Sequence, residues 1–167
     1  MNSSTSSQSF PLSIMSTAAL LDHCMNEINL YHRGDLQGDT YCVELLRRAS
    51  LQKDQDAWQA VQQCLSETVR GWLDSHPHRE IACCIDKEEH YVTQAFERFF
   101  QATVHEQKIF STLADALLSL RTYLNSALLD ALRVSSRSHK IMLPGRSEAE
   151  HSKVTSCLLY TSDAADE

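Results

Sequence analysis

The sequence predicts an all-α protein: a compact bundle of about four helices with disordered N- and C-terminal tails. The 167 residues include only four glycines and three prolines, too few for the many turns of a sheet fold. Neither residue type occurs between Glu80 and Leu143. From Tyr41 onward the apolar residues recur at three- and four-residue spacing, without the alternation that is typical of strands.

The N-terminal region, residues 1–40, is expected to be a variable and disordered leader because residues 2–17 are rich in Ser and Thr. Leu20 to Tyr31 is a candidate short helix within it. The RGD tripeptide at Arg33 to Asp35 is interpreted as a turn, because no secretory-signal pattern precedes it. No segment approaches the roughly 18–20 continuous apolar residues of a membrane-spanning helix.

Two helices are predicted first. The spacing of Val43, Leu46 and Ala49 indicates a helix over about 42–53. A second helix follows, with either Asp54 or Asp56 as its N-cap. This helix is expected to end at the Ser-His-Pro-His sequence that begins at Ser75, since proline disfavours helix at the preceding residue. Its apolar face comprises Ala57, Trp58, Val61, Leu65, Val69 and Trp72.

Residues 76–87 are predicted to be a connector. Asp86 and Glu89 form a plausible capping pair for a third helix over about 88–103. Thr112 and Asp115 suggest the same capping for a fourth helix, about 112–134, whose leucines recur at helical spacing. The third helix carries Tyr91, Val92, Ala95, Phe96, Phe99 and Ala102, and the fourth carries Leu113, Leu117, Leu120, Leu124, Leu128 and Leu132.

Composition divides the chain into a domain at 41–137, a polar linker at 138–154 and a last segment at 155–167. The final letters, SCLLYTSDAADE, resemble the translated adapter read-through found at the ends of metagenomic gene fragments. We therefore expect 155–167 to be a non-native tail. Within the domain, Trp58, Trp72, Phe96 and Phe99 are expected in the core. Phe100 is the expected exception, because it and Phe99 do not both face inward along one stripe.

Charge and motif content narrow the function classes. The net charge is −7, from 15 basic and 22 acidic residues, and residues 41–137 hold 11 basic and 13 acidic residues. This balance disfavours a generic nucleic-acid coat, although it allows a local basic patch. No nucleophile elbow, glycine-rich phosphate loop or His-Glu-x-x-His motif occurs. Neighbouring carboxylates such as Glu88 and Glu89 diverge on a helix, so neither an enzyme nor a cofactor is expected.

The cysteines are interpreted as reduced thiols of a cytoplasmic protein, because none of the six has Cys-x-x-Cys spacing. One stretch is rich in zinc-binding residue types, but their spacings match no structural zinc pattern, so no metal site is expected. A thiol or metal sensor in this stretch stays as a third alternative. The residues concerned are His76, His78, Cys83, Cys84 and His90.

Three blocks of sequence appear in a distinctive order: ELLRRASLQKDQDAWQAVQQCL, EEHYVTQAFERFFQA and FSTLADALLSLRTYLNSALLDALRVSSR. Over about residues 42–137 they resemble the first conserved domain, called region 2, of RNA polymerase sigma factors. The most similar sigma factors are those of the extracytoplasmic-function group. The chain departs from the family pattern at Thr93-Gln94, where the family has Gln-Glu, and at Ser119, near which an aromatic residue is usual. The matching positions are Asp56, Ala57 and Trp58 in the first block, Glu89, His90, Tyr91, Val92, Thr93, Gln94, Phe96, Arg98 and Phe100 in the second, and Leu129, Asp130, Leu132, Arg133 and Arg137 in the third.

The resemblance implies a transcription-initiation protein that binds core RNA polymerase and the promoter −10 element. The second block would dock on the clamp helices of the largest polymerase subunit, through Glu88, Glu89, Thr93, Gln94 and Arg98. The third block would capture single-stranded −10 DNA, through Arg121, Tyr123, Asn125, Ser126, Arg133 and Arg137. An anti-sigma protein is a further possible partner. The alternative hypothesis is a helical protein-interaction module, a degenerate sigma relative without DNA-melting activity.

Overall fold

The structure is a computed structural model that describes the backbone of residues 11–141 and the side chains of residues 11–138. Helices account for all regular secondary structure in this range, which confirms the all-α class. The described residues form six α-helices instead of the expected number of about four, because one helix before the predicted domain and one within the predicted connector add to the four. The six α-helices are α1 (Thr17–Arg33), α2 (Thr40–Leu51), α3 (Gln55–Asp74), α4 (Arg79–Ile85), α5 (Glu88–Phe100) and α6 (Leu113–Ile141).

Helix α1 lies inside the segment that was expected to be a disordered leader, and that expectation is wrong from Thr17 to Arg33. The candidate helix within it is confirmed. Its apolar stripe of Leu20, Cys24 and Ile28, at i, i+4 and i+8, is buried against the bundle. The helix ends at Gly34, whose φ of 76° suits a residue without a Cβ, so the RGD tripeptide forms a turn. Residues 1–10 lie outside the described part.

The chain before α1 is held by Arg48 of α2, a buried arginine. Its guanidinium donates to the carbonyl oxygens of Leu12 and Met15, each at 2.7 Å. Its Nε also donates to Glu44 at 3.0 Å. Because a buried charge needs several partners, these bonds fix the short 3₁₀ turn that precedes α1.

The joint between α1 and α2 contains a buried carboxylate and a disulfide. Glu27 accepts hydrogen bonds from the backbone N–H groups of Tyr41 and Cys42, at 3.1 and 2.8 Å. Cys24 and Cys42, 18 residues apart in sequence, are joined by a disulfide. The interpretation of all cysteines as reduced thiols is therefore wrong for this pair, because a pairing across two helices leaves no local spacing motif. It is also wrong for Cys84, which is disulfide-bonded as well.

Helix α3 begins as predicted, with Asp54 as its N-cap. The Asp54 carboxylate accepts from the N–H groups of Asp56 and Ala57. The helix ends at Asp74, before Pro77. The predicted connector that follows contains α4, which is anchored because the Tyr91 hydroxyl donates to the Ala82 carbonyl at 2.7 Å.

Helix α5 lacks the predicted capping pair. Its N-cap is Lys87, and the Asp86 carboxylate accepts from the Lys87 N–H, at 2.7 Å, and lies 3.6 Å from the His90 Nδ1. Asp86 thus lies one residue too early to cap the helix, so that prediction is wrong. Beyond Phe100 the chain continues as a π-helical turn, Gln101–His105.

Helix α6 begins after Thr112, whose hydroxyl accepts from the Asp115 N–H at 3.1 Å, as the capping pattern predicted. The helix extends to Ile141 instead of ending near 134. Residues 138–141, expected to open the polar linker, therefore belong to α6. The remainder of the linker and the 155–167 segment lie outside the described residues.

The core lies between α1, α2 and α3 on one side and α5 and α6 on the other. Trp58, Phe96 and Phe99 are buried in it, as predicted, whereas Trp72 is half-buried at its margin. Phe100 is also half-buried, and its ring centroid lies 4.9 Å from that of Trp58. The fully buried residues of greatest volume include Tyr91, Phe99, Leu20, Leu45, Leu65, Leu73, Leu113, Leu120, Leu124 and Leu128.

Candidate functional site

Two of the five predicted polymerase-binding residues on α5 are engaged within the chain. Glu88 forms an ion pair with Arg79 of α4, and Arg79 also approaches the Asp74 carboxylate at 3.3 Å. Arg98 donates to Asp130 of α6 at 2.8 Å. Both side chains therefore tie neighbouring helices together, which reduces their freedom to meet a partner.

The other three predicted residues are placed differently. Glu89 and Thr93 are exposed and Gln94 is half-buried. Glu89, Thr93 and Glu97 are spaced at i, i+4 and i+8, so they form one solvent-facing row along α5. Glu97 was missed by the sequence analysis, although this spacing would have identified it.

The six predicted DNA-binding residues of α6 lie on two faces of that helix. Arg121 and Asn125 are one turn apart, whereas Tyr123 is about half a turn from Arg121. Tyr123 shares its side of the helix with Ser126, Arg133 and Arg137. The successive steps from Tyr123 to these residues are three, seven and four positions, which keep them on one side. The structure does not bring all six residues together.

The first face of α6 meets the end of α3. The Arg121 guanidinium lies 6.0 Å from the centroid of the Trp72 ring, within cation–π range. The Asn125 side chain lies beside His76, whose Nδ1 accepts from the His78 N–H at 3.1 Å. Burial lowers the pKa of His76, as do the nearby charges of His78 and Arg121, whereas the Asn125 side chain acts in the opposite direction. The histidine therefore favours its neutral form.

The second face of α6 runs from half-buried to fully exposed. The Tyr123 ring packs edge-on against Phe99, with 6.5 Å between centroids. Burial and the charge of Glu106 raise the pKa of Tyr123, so its phenol stays protonated. Arg133 and Arg137 are exposed, and Arg133 approaches Asp130 at 3.5 Å. Asp130 is thus shared by arginines on both sides, which partly neutralises the basic character of this face.

Compared with known proteins, the chain matches no family model, no curated protein and no solved structure. Within residues 11–141, no helix is sufficiently long and apolar to cross a bilayer. Across the same part of the chain, no three His, Cys, Asp or Glu side chains are arranged to hold a metal ion.

Two features of this region escaped the sequence analysis. Trp72 was assigned to the core, yet its indole is half-exposed and contacts Arg121. His76 was assigned to a solvated connector, yet it is half-buried and lies beside Asn125 of α6. No sequence signal marks either contact, because both depend on how α6 crosses the end of α3.

Proposed function

We propose that this chain is a sigma-factor-like, cytoplasmic transcription-initiation protein that binds core RNA polymerase and the −10 element of promoter DNA. The observation that carries the proposal is the ordering of its helices. The three sequence blocks that resemble sigma region 2 contribute the buried faces of α2, α3, α5 and α6, and the remaining polar residues of α5 and α6 stay at the surface.

Helix α5 is the proposed contact with the polymerase clamp helices. The row of Glu89, Thr93 and Glu97 supports it, since an exposed polar face suits a contact between helices. Glu88 and Arg98 act here as positioning residues, because they hold α4 and α6 against α5. An anti-sigma protein that competes for polymerase would use this same surface.

The exposed end of α6 is the proposed contact with single-stranded −10 DNA. Arg133 and Arg137 lie one turn apart on a helix whose side chains from Arg133 to Ser138 are almost all exposed. Two guanidinium groups in this arrangement fit successive phosphates of a strand, and Arg side chains also stack on bases.

The test of this function measures single-stranded −10 DNA binding by core polymerase loaded with the protein. The Arg133→Ala/Arg137→Ala double variant should bind the strand more weakly. It should also reduce the slope of log affinity against log salt by roughly 1.4, as expected for two lost phosphate contacts. Arg70→Ala removes an exposed arginine from α3 and serves as the control. An unchanged slope with polymerase binding retained would contradict the DNA role.

A second candidate function is a polymerase-binding module without DNA activity. The sharing of Asp130 between Arg98 and Arg133 favours it, because this carboxylate offsets the positive charge of α6. Both candidate functions require polymerase binding, and charge reversal at Glu89 and Glu97 tests this shared step. Polymerase affinity should fall in Glu89→Lys/Glu97→Lys and stay unchanged in Glu67→Lys, an exposed control on α3.

A further inference from the structure

Three cysteines from three different helices meet inside the bundle. Cys24 of α1 and Cys42 of α2 are bonded to each other, and the Cys64 Sγ of α3 lies 3.8 Å from the Cys24 Sγ. All three residues are buried. Cys24 therefore has one sulfur as its bonded partner and a second sulfur in van der Waals contact.

The surroundings of the sulfurs leave room for a second arrangement. A cavity of about 10 Å³ borders all three cysteines and is otherwise lined by Leu45, Leu46, Val61, Leu65 and Leu113. Closing the gap between Cys24 and Cys64 to a disulfide requires a movement of about 2 Å. Space beside the sulfurs makes such a movement less costly than in a fully packed core.

Both candidate thiols have a backbone acceptor in place. The Cys64 Sγ lies 3.3 Å from the Val61 carbonyl oxygen. The Cys42 Sγ lies 3.3 Å from the Cys24 carbonyl oxygen. A thiol at either position is thus able to donate a weak hydrogen bond without entering an unsatisfied environment.

We propose that these residues form a thiol–disulfide exchange site in which Cys24 is the shared sulfur. The Cys64 thiolate attacks the Cys24 Sγ, the Cys24–Cys42 bond breaks, and Cys42 leaves as a thiolate that takes up the proton released by Cys64. One disulfide is lost and one is formed, so no oxidant or reductant is consumed. The covalent tether of α1 moves from α2 to α3. This inference does not depend on the proposed function.

Burial sets the pace of this exchange. It raises the pKa of the Cys64 thiol to about 12, so the attacking thiolate is scarce at neutral pH. The Cys24–Cys42 form therefore converts slowly.

Peptide mapping of the full chain distinguishes the two linkages, because trypsin separates the cysteines into different peptides. Arg33 lies between Cys24 and Cys42, and Arg47 lies between Cys42 and Cys64. Wild-type protein incubated at mildly alkaline pH, then acid-quenched, alkylated and digested, should yield both the Cys24–Cys42 and the Cys24–Cys64 peptide pairs. Detection of the Cys24–Cys42 pair alone would overturn the proposal.

A variant provides the second measurement. Cys42→Ser treated with oxidised glutathione should lose alkylation at Cys24 and Cys64 completely, as those two thiols form a disulfide and release two molecules of reduced glutathione. Cys24→Ser, the matched control, should keep Cys42 and Cys64 alkylatable, because the shared sulfur is gone. Persistence of two free thiols in Cys42→Ser of wild-type helicity would also overturn the proposal.

Discussion

The Glu27 carboxylate links α1 to α2, so substitution of this residue tests how these two helices are held together. It is 7% exposed, and it accepts hydrogen bonds from two N–H groups at the first turn of α2. A carboxylate at a helix N-terminus is also favoured by the helix dipole. Glu27 therefore joins α1 to α2 through two hydrogen bonds to a single side chain.

Glu27→Ala leaves both N–H groups of the α2 terminus without an acceptor. Each buried unsatisfied donor costs about 1–3 kcal/mol, and removing a buried carboxylate returns part of its desolvation energy. We expect the free energy of unfolding to fall by roughly 2–4 kcal/mol. Glu27→Gln keeps one oxygen acceptor but turns an amide donor toward the second N–H group, so it should lose less than the alanine variant.

The assay is urea unfolding followed by far-UV circular dichroism, with Glu67→Ala as an exposed control. The comparison of wild type with Glu27→Gln also has a defined pH dependence. Burial raises the pKa of Glu27, against the lowering effect of the two N–H bonds. The folded chain thus binds this proton more tightly than the unfolded chain, so the stabilisation from Glu27 is largest in acid and decreases as pH rises through the folded-state pKa.

The wild-type advantage over Glu27→Gln should accordingly be smaller at neutral pH than in acid. Two results would refute this reasoning. One is a loss in Glu27→Ala below about 0.5 kcal/mol, the range of ordinary surface substitutions. The other is a wild-type advantage that grows with pH, which would mean that the N–H bonds outweigh burial.

Three further variants test other parts of the bundle by the same unfolding measurement. Leu124→Ala, at a fully buried position of α6, should cost about 2–5 kcal/mol, and the exposed Leu118→Ala on the same helix should stay within about 0.5 kcal/mol. Asp54→Ala removes the α3 N-cap and should cost roughly 0.5–2 kcal/mol, and restoration by Asp54→Ser would identify capping as the cause. Arg48→Met leaves two carbonyls of the N-terminal turn without donors and should cost about 2–4 kcal/mol, whereas equal stability would show that water replaces the guanidinium.

Much of the helical architecture was predictable from periodicity and capping. The α3 and α6 starts followed from Asp54 and Thr112, because a side-chain acceptor three residues before a free N–H group is a local property. Helix α1 was underestimated, although the spacing of Leu20, Cys24 and Ile28 marks a buried stripe. The Ser- and Thr-rich residues before that stripe favour disorder, whereas the stripe itself favours a helix.

The candidate site was predictable only in part. Separation of Arg121 from Tyr123 follows from helix geometry and needed no structure. The ion-pair partners of Glu88 and Arg98 could not be predicted in this way, because Arg79 and Asp130 reach them only through the packing of α4 and α6 against α5. The same holds for the three cysteines, whose meeting depends on tertiary packing and not on spacing.

The length of α6 has a consequence for any ligand that meets its C-terminal turns. At 29 residues it measures about 43 Å, against about 20 Å for its neighbour α5. A short exposed helix is marginal in water because nucleation is costly. Here the buried leucines of the first turns nucleate the helix, and the exposed turns only propagate it. Arg133 and Arg137 are therefore held in fixed register before a partner arrives, so binding them requires little additional ordering of the backbone.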